Sequence, residues 1–197
     1  MNNLLISDTL DEKLGDFFKS CSELAILHFG DNLTSLIDDR VNSITVSVVL
    51  ESADSDYNLV IIYCHGDESS FLGLNNEVIL TIESPELIKL ANSIIYSFSC
   101  SSGSILGPKL VNLGCRAFIG YNGEANILTS LKDEFAACVH TGVEQLLAGS
   151  SAEIAYKSVI HQYKKLMMQV DFFARSIIND NIDKLVLIGD PSSEINE

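Results

Sequence analysis

Asn58-Leu-Val-Ile-Ile-Tyr-Cys-His65-Gly66 and Ser93-Ile-Ile-Tyr-Ser-Phe-Ser99-Cys100-Ser-Ser-Gly103 are the two stretches that decide the fold. Each is a short apolar, β-branched and aromatic run that stops abruptly in small or polar residues. A fully buried parallel strand looks like this where it reaches the edge of its sheet. In open α/β sheets, ligands and chemistry gather beyond the carboxyl ends of the strands. One end here offers a histidine followed by glycine, and the other a cysteine followed by small residues. A thiol and an imidazole on adjacent strand ends make an activated nucleophile.

Working outward, four further strands are expected: Ser22–Phe29, Ser43–Leu50, Cys115–Tyr121 and Leu185–Ile188. A helix carrying Leu10, Leu14, Phe17 and Phe18 precedes them, capped by Ser7 or Asp8. Asp31 is expected to cap a helix to Asp39. Phe71–Leu74 and Glu77–Ile82 form a hairpin around Asn75-Asn76, since asparagine tolerates positive φ. Ser84-Pro85-Glu86 opens a helix to Ala91. A helix over Ile105–Leu113 is stopped by Gly114. Two long helices follow. One starts near Thr129 and stops at Gly149; the other opens with a Ser150/Glu153 capping box and runs through Ile177. Alternating strands and helices imply an α/β three-layer sandwich. Its mainly parallel six-stranded sheet carries helices on both faces, in a single domain over residues 1–197. Residues 1–21 form the N-terminal helix of that scheme, and residues 192–197 a polar tail.

The chain of 197 residues is strongly acidic, with 27 Asp and Glu against 12 Lys and Arg, a formal net charge of −15. No basic cluster stands out, so nucleic acid and anionic membranes are poor partners, and a basic peptide is attracted. The acidity by itself needs no more than a solubilising role. Five cysteines with no CxxC pair argue against a disulfide framework and a zinc knuckle, and for a reducing cytoplasm. The first twenty residues lack the basic start and apolar core of a signal peptide, so none is expected, and no apolar stretch is long enough to span a bilayer.

Cys100 is expected to gain reactivity from a helix N-terminus just beyond it and from His65. The Gly66 and Cys100 N–H groups are candidate oxyanion donors, with glycine at 66 avoiding a crowding Cβ. A free cysteine alone is more commonly a buried small hydrophobe; the neighbouring His65-Gly66 end tips the balance toward chemistry. His28 reads as a strand histidine, and no second ligand is expected at metal spacing from His140 or His161, so no metal and no cofactor are expected. Cys64, Cys115 and Cys138 read as packing. No phosphate-binding glycine loop or serine-hydrolase elbow occurs.

The Tyr63-Cys-His65-Gly66 block, the Ser97-Phe-Ser99-Cys100-Ser-Ser-Gly103 block, the strand ending Ala117-Phe-Ile-Gly120 and the terminal Leu187-Ile-Gly189-Asp190-Pro191 together resemble the caspase-like (caspase–haemoglobinase) cysteine peptidases. The likeness is nearest to the bacterial CHAT and gingipain-type branch, and runs in order over residues 22–191. It implies a thiol protease, a hydrolase in which His65 is general acid/base, Cys100 the nucleophile and Gly66 part of the oxyanion hole. The family's specificity pocket maps onto Asp31, Ser99, Tyr121, Asn122 and Glu124. Acidic side chains there would favour Lys or Arg before the cut, although Asp31 serves equally as a helix N-cap. The signature of animal caspases around the cysteine is absent, so aspartate specificity does not follow. The resemblance also implies a protein substrate, a co-encoded effector in a bacterial antiviral defence system being one such partner, and some relatives use calcium. The alternative is a catalytically silent scaffold of the same fold.

Overall fold

The computed structural model describes residues 2–53 and 55–195. In chain order the elements are β1 (Asn3–Ser7), α1 (Gly15–Phe29), β2 (Leu33–Ile37), α2 (Ser43–Glu51) and β3 (Leu59–Tyr63). Then come β4 (His65–Gly66), β5 (Ser70–Leu72), β6 (Val78–Thr81), β7 (Ile94–Phe98), α3 (Leu106–Asn112) and β8 (Ala117–Tyr121). Last are α4 (Lys132–Leu147), α5 (Ala152–Met167), α6 (Phe172–Lys184) and β9 (Leu185–Gly189). The main sheet has six strands in the order β2-β1-β3-β7-β8-β9. All neighbours run parallel except β8 and β9. Strands β4, β5 and β6 make a small antiparallel sheet beside it.

Period-two alternation sorts the strand side chains into two cores. Leu59, Ile61 and Tyr63 of β3 join Ile94, Tyr96 and Phe98 of β7 under α1, α4, α5 and α6. Val60, Ile62 and Cys64 point the other way, with Ile95 and Phe118, toward α2, α3 and the small sheet. Helices therefore cover both faces, the expected three-layer α/β sandwich.

The strand identities at the amino end differ from expectation. The sheet strand there is Asn3–Ser7, within the residues 1–21 expected to be helical. Ser22–Phe29 is the second half of α1, not a strand. Its continuous apolar run fits either element by period, but Phe17, Phe18, Cys21, Ala25 and Phe29 form one buried helical stripe. Residues 31–39, expected as a helix, contain β2. Ser43–Leu50 is helix α2 despite its β-branched composition. The Asn42 side chain accepts from the Thr45 N–H at 2.9 Å, capping the first turn. Only Val46 and Leu50, one turn apart, are buried, while Ile44 and Val48 are exposed.

From residue 58 onward the elements follow the sequence pattern closely. Asn75 and Asn76 take φ of 57° and 59° at the hairpin turn. The long final helix is broken in two, because Asp171 caps α6 by accepting from the Ala174 N–H at 2.9 Å. The expected capping box does not form: the Ser150 hydroxyl donates to the Gln145 side chain instead. The segment after β9 is not a free tail through its described part. Ser193 and Ile195 are buried, and the Ser193 carbonyl accepts from the Ala152 N–H at 2.8 Å.

Helix α4 crosses the sheet at Gly142. A Cβ there would lie 2.5 Å from Tyr96 Cε2 and 2.7 Å from its hydroxyl oxygen. The ring cannot yield easily, because it is buried and its hydroxyl donates to the Val139 carbonyl. Gly142→Ala gains about 1 kcal/mol of helix propensity but overpacks this crossing by about 1–3 kcal/mol. The expected net effect is destabilisation by up to about 2 kcal/mol, read as a lower urea midpoint at unchanged m-value. A stabilised variant would mean that α4 is not seated on Tyr96.

Candidate active site

The carboxyl ends of β3 and β7 lie side by side. Their register pairs Tyr63 with Phe98, so the residues two positions past each are His65 and Cys100. Gly66 makes the closest approach. A Cβ at 66 would sit 3.1 Å from the Cys100 carbonyl oxygen, from the Ser70 carbonyl oxygen and from the Ser99 Cβ. Only glycine lets the β4 backbone press against the β7 end in this way. A cavity of about 480 Å³ opens over the junction, lined among others by His65, Gly66, Cys100, Ser101 and Glu124.

Cys100 is partly exposed and its Sγ lies 3.8 Å from the Ala125 carbonyl oxygen. The other four cysteines are buried. Burial pushes the thiols of Cys64, Cys115 and Cys138 up to about 12, and that of Cys21 well upward too. Such thiols carry almost no thiolate at neutral pH and are chemically quiet. Directly after Cys100, Ser101 adopts φ of +56°, a left-handed turn that costs a non-glycine residue about 1–2 kcal/mol. Its N–H donates to the Gly123 carbonyl at 2.8 Å, which holds the turn.

Backbone donors also face this junction. Asp67 N–H bonds the Ser70 carbonyl, so residues 66 and 71 are a non-bonded pair of the β4–β5 ladder. Alternation in such a ladder turns the Gly66 N–H away from β5. Among the described residues the Cys100 N–H has no backbone partner. The expected helix N-terminus is not part of the site. Turns occupy residues 101–105 before α3 begins at Leu106, and the Ile105 and Leu106 N–H groups donate to the Glu68 carbonyl.

A third residue, not anticipated from the sequence, completes the cluster. Asp11 Oδ2 lies 3.0 Å from His65 Nε2, with both side chains largely buried. Asp11 comes from the loop after β1, which ends beside β3 in the sheet. The loop holds it firmly: Asp11 Oδ1 accepts from the N–H groups of Lys13 at 2.9 Å and Leu14 at 2.6 Å. With Nε2 engaged, Nδ1 of His65 has no hydrogen-bond partner among the described residues. The Phe18 ring packs edge-on to the imidazole, centroids 6.0 Å apart. Behind Asp11, Asp8 is buried with Oδ1 unpartnered, and its carboxyl is raised, first by burial and then by Asp11. The sequence does carry a signal for these two acids, the short run Leu4-Leu5-Ile6 stopping at Ser7-Asp8, which a helix over the same residues conceals.

The remaining residues expected in the pocket divide. Glu124 lines the cavity, as do Asp67 and Glu68, which were not anticipated. Ser99 does not: it is buried and its hydroxyl donates to the Cys64 carbonyl at 2.8 Å, tying β7 to the β3 end. Tyr121 is buried within the helical core, its hydroxyl 3.0 Å from that of Tyr163. Asn122 lies outside the cavity lining; its N–H donates to the Lys184 carbonyl at 2.9 Å. Asp31 is at the wrong rim of the sheet. Its backbone belongs to the turn Gly30–Asn32 that precedes β2, hence at the amino ends of the strands. A strand expected over 22–29, where the chain is helical, is the cause. The Asp31 side chain lies outside the described residues.

One histidine also departs from expectation. His140 does have a partner at metal spacing, Glu144 one turn on, and His28, on α1 rather than a strand, faces both.

No family model and no curated protein matches this sequence. Solved structures do. The complex of Porphyromonas gingivalis RgpB pro- and mature domains superposes with a TM-score of 0.65 at 12% identity, over 99% of this chain and 48% of that one. The Arg-specific cysteine proteinase gingipain R (RgpB) does so with a TM-score of 0.62 at 13% identity, over 99% and 47% respectively. This chain therefore shares the caspase-like fold of these gingipain structures, and spans about half their length. Among the described residues no helix is long and apolar enough to cross a membrane.

Burial pushes the Asp11 carboxyl upward, but the Leu14 and Lys13 N–H donors and His65 outweigh it and hold it below its ordinary value. A carboxyl lowered on folding stabilises the native state above its unfolded pKa of about 4 and loses that contribution as pH falls through the folded value. Urea unfolding should therefore find Asp11→Asn less stable than the parent at pH 6. The gap should close in the acid range below about pH 4. A gap independent of pH would mean that packing, not charge, ties Asp11 to the fold.

Proposed function

We propose that this protein is a cysteine endopeptidase with Cys100 as nucleophile, His65 as general acid/base and Asp11 as the residue that positions the imidazole. The observation that carries this reading is the cavity shared by Cys100 and His65, with Asp11 3.0 Å behind the histidine. With Asp11 accepting the Nε2 proton, Nδ1 of His65 is the free base. It takes the Cys100 thiol proton as sulfur attacks the peptide carbonyl. The oxyanion is met by the Gly66 and Cys100 N–H groups. Collapse breaks the C–N bond, and His65 returns the proton to the leaving amine. His65 then deprotonates a water that hydrolyses the thioester, releasing the acid and regenerating the thiol. The chemistry needs no metal or cofactor.

The cavity's Glu124, Asp67 and Glu68 favour a Lys or Arg side chain before the scissile bond. The solved neighbour described as Arg-specific supports that preference. The net charge of −15 adds steering toward basic segments. A protein substrate, such as a bacterial effector activated by the cut, follows from this chemistry and from the resemblance of the sequence.

The test is a fluorogenic peptide library varied at the residue before the cut, run with the parent and with Cys100→Ala. The parent should cleave after Lys or Arg, and the variant should lose cleavage by at least about 10³-fold. The melting temperature should hardly move, since Cys100 fills little of the core. Cleavage that survives in Cys100→Ala removes the nucleophile assignment. A parent that cleaves nothing, and whose Cys100 reacts with an acyloxymethyl ketone no faster than a free thiol, is a scaffold instead.

A further inference from the structure

Away from the cavity, α1 and α4 bring together three metal-ligating side chains. His28 sits in the last turn of α1, and His140 and Glu144 lie one turn apart on α4. One ligand atom from each lies within 4.8 Å of the others. The helix α1 has 15 residues, about 22 Å from end to end, and Asp11 precedes its other end. The cluster is therefore remote from His65 and Cys100, and its chemistry does not depend on the peptidase assignment.

His28 Nδ1 lies 3.0 Å from the Leu24 carbonyl oxygen and 3.1 Å from His140 Nε2. A carbonyl only accepts, so Nδ1 carries the proton and Nε2 keeps its lone pair. Metal-binding histidines are oriented in this way, by the other ring N–H donating to a backbone carbonyl. His28 Nε2 is 3.9 Å from Glu144 Oε1, and His140 Nε2 is 3.8 Å from that same oxygen. Ligand atoms about 2.0–2.1 Å from a tetrahedral zinc stand roughly 3.3 Å apart. Closing the 3.8 and 3.9 Å separations takes about half an ångström, and His28 and Glu144 are exposed enough to move.

His140 gives the second, independent reason. It is 2% exposed, and its Nε2, which faces Glu144, has His28 Nδ1 3.1 Å away as its nearest polar neighbour. A buried imidazole so poorly partnered is costly unless something else engages it.

We infer that His28, His140 and Glu144 form a binding site for a divalent d-block cation, zinc foremost. The cation staples the end of α1 to α4, and the half-exposed side leaves room for a water as fourth ligand. Two imidazoles and one carboxylate suit zinc over calcium or magnesium, which favour all-oxygen shells.

The experiment titrates zinc chloride into untagged protein by calorimetry, in a Cys100→Ala background so that the exposed thiol does not compete. Cobalt(II) absorption reports the geometry. One zinc per chain should bind, cobalt should give the intense visible bands of a tetrahedral site, and zinc should raise the melting temperature. His28→Ala and Glu144→Gln replace exposed side chains and should leave the fold intact by circular dichroism. Each should weaken zinc binding at least about 10-fold. No saturable binding below millimolar zinc overturns the inference, and so does binding that both substitutions leave unchanged.

Discussion

The parallel pairing of β3 with β7 is the constraint on which the rest of this molecule depends. It sets Tyr63 opposite Phe98 and thereby His65 near Cys100. A slip of one residue would turn every side chain of one strand to the other face. That error would bury Val60 and Ile62 among the wrong helices as well as part the imidazole from the thiol. The two clusters, one per face, therefore hold the register with many apolar contacts, each side chain contributing about 1.5–3 kcal/mol on burial. Chemistry at the rim inherits its alignment from packing several residues away.

That dependence also explains which parts were legible. The strands that meet at the site are buried on both faces, so they read as unbroken apolar runs ending in His65-Gly66 and Ser99-Cys100. Nothing about their partners is needed to recognise them. Upstream, local pattern and tertiary context disagree. SITVSVVL is β-branched throughout, yet the Asn42 cap and the pair Val46 and Leu50 make it a helix. SELAILHF has only His28 as a polar interruption after its first two residues, and only the stripe continued from Phe17 and Phe18 reveals its period. A strand expected over residues 22–29 carried Asp31 to the wrong rim, and a helix expected over residues 1–21 hid Asp11.

Asp8 and Asp11 share one strand end but face different environments. Asp11 engages two backbone donors and the imidazole, and stays ionised. Asp8 has the same charge with fewer donors and more burial, so its carboxyl is raised. Two acids a turn apart thus separate into an orienting carboxylate and a buried one that resists charge. Asp8 is a local cost to stability beside a candidate site, the usual place for such costs.

Helix α1 is the structural consequence of that loop. Its Phe18 ring backs the His65 imidazole, while Phe17 meets Phe98 edge-on at 4.8 Å. The Ser22 hydroxyl donates to the Phe18 carbonyl and lies 2.7 Å from the hydroxyl of Ser7, fastening α1 to the end of β1. His65 is thus held by residues from three separate segments: Asp11, Phe18 and its own strand β4 against Ser99. No pairwise contact among them is large. Rigidity comes from their convergence, because any rotation of the ring must break the Asp11 bond or displace a buried aromatic. Positioning a side chain in this way is an entropic contribution made when the chain folds; under the proposed peptidase reading it need not be made again at each turnover.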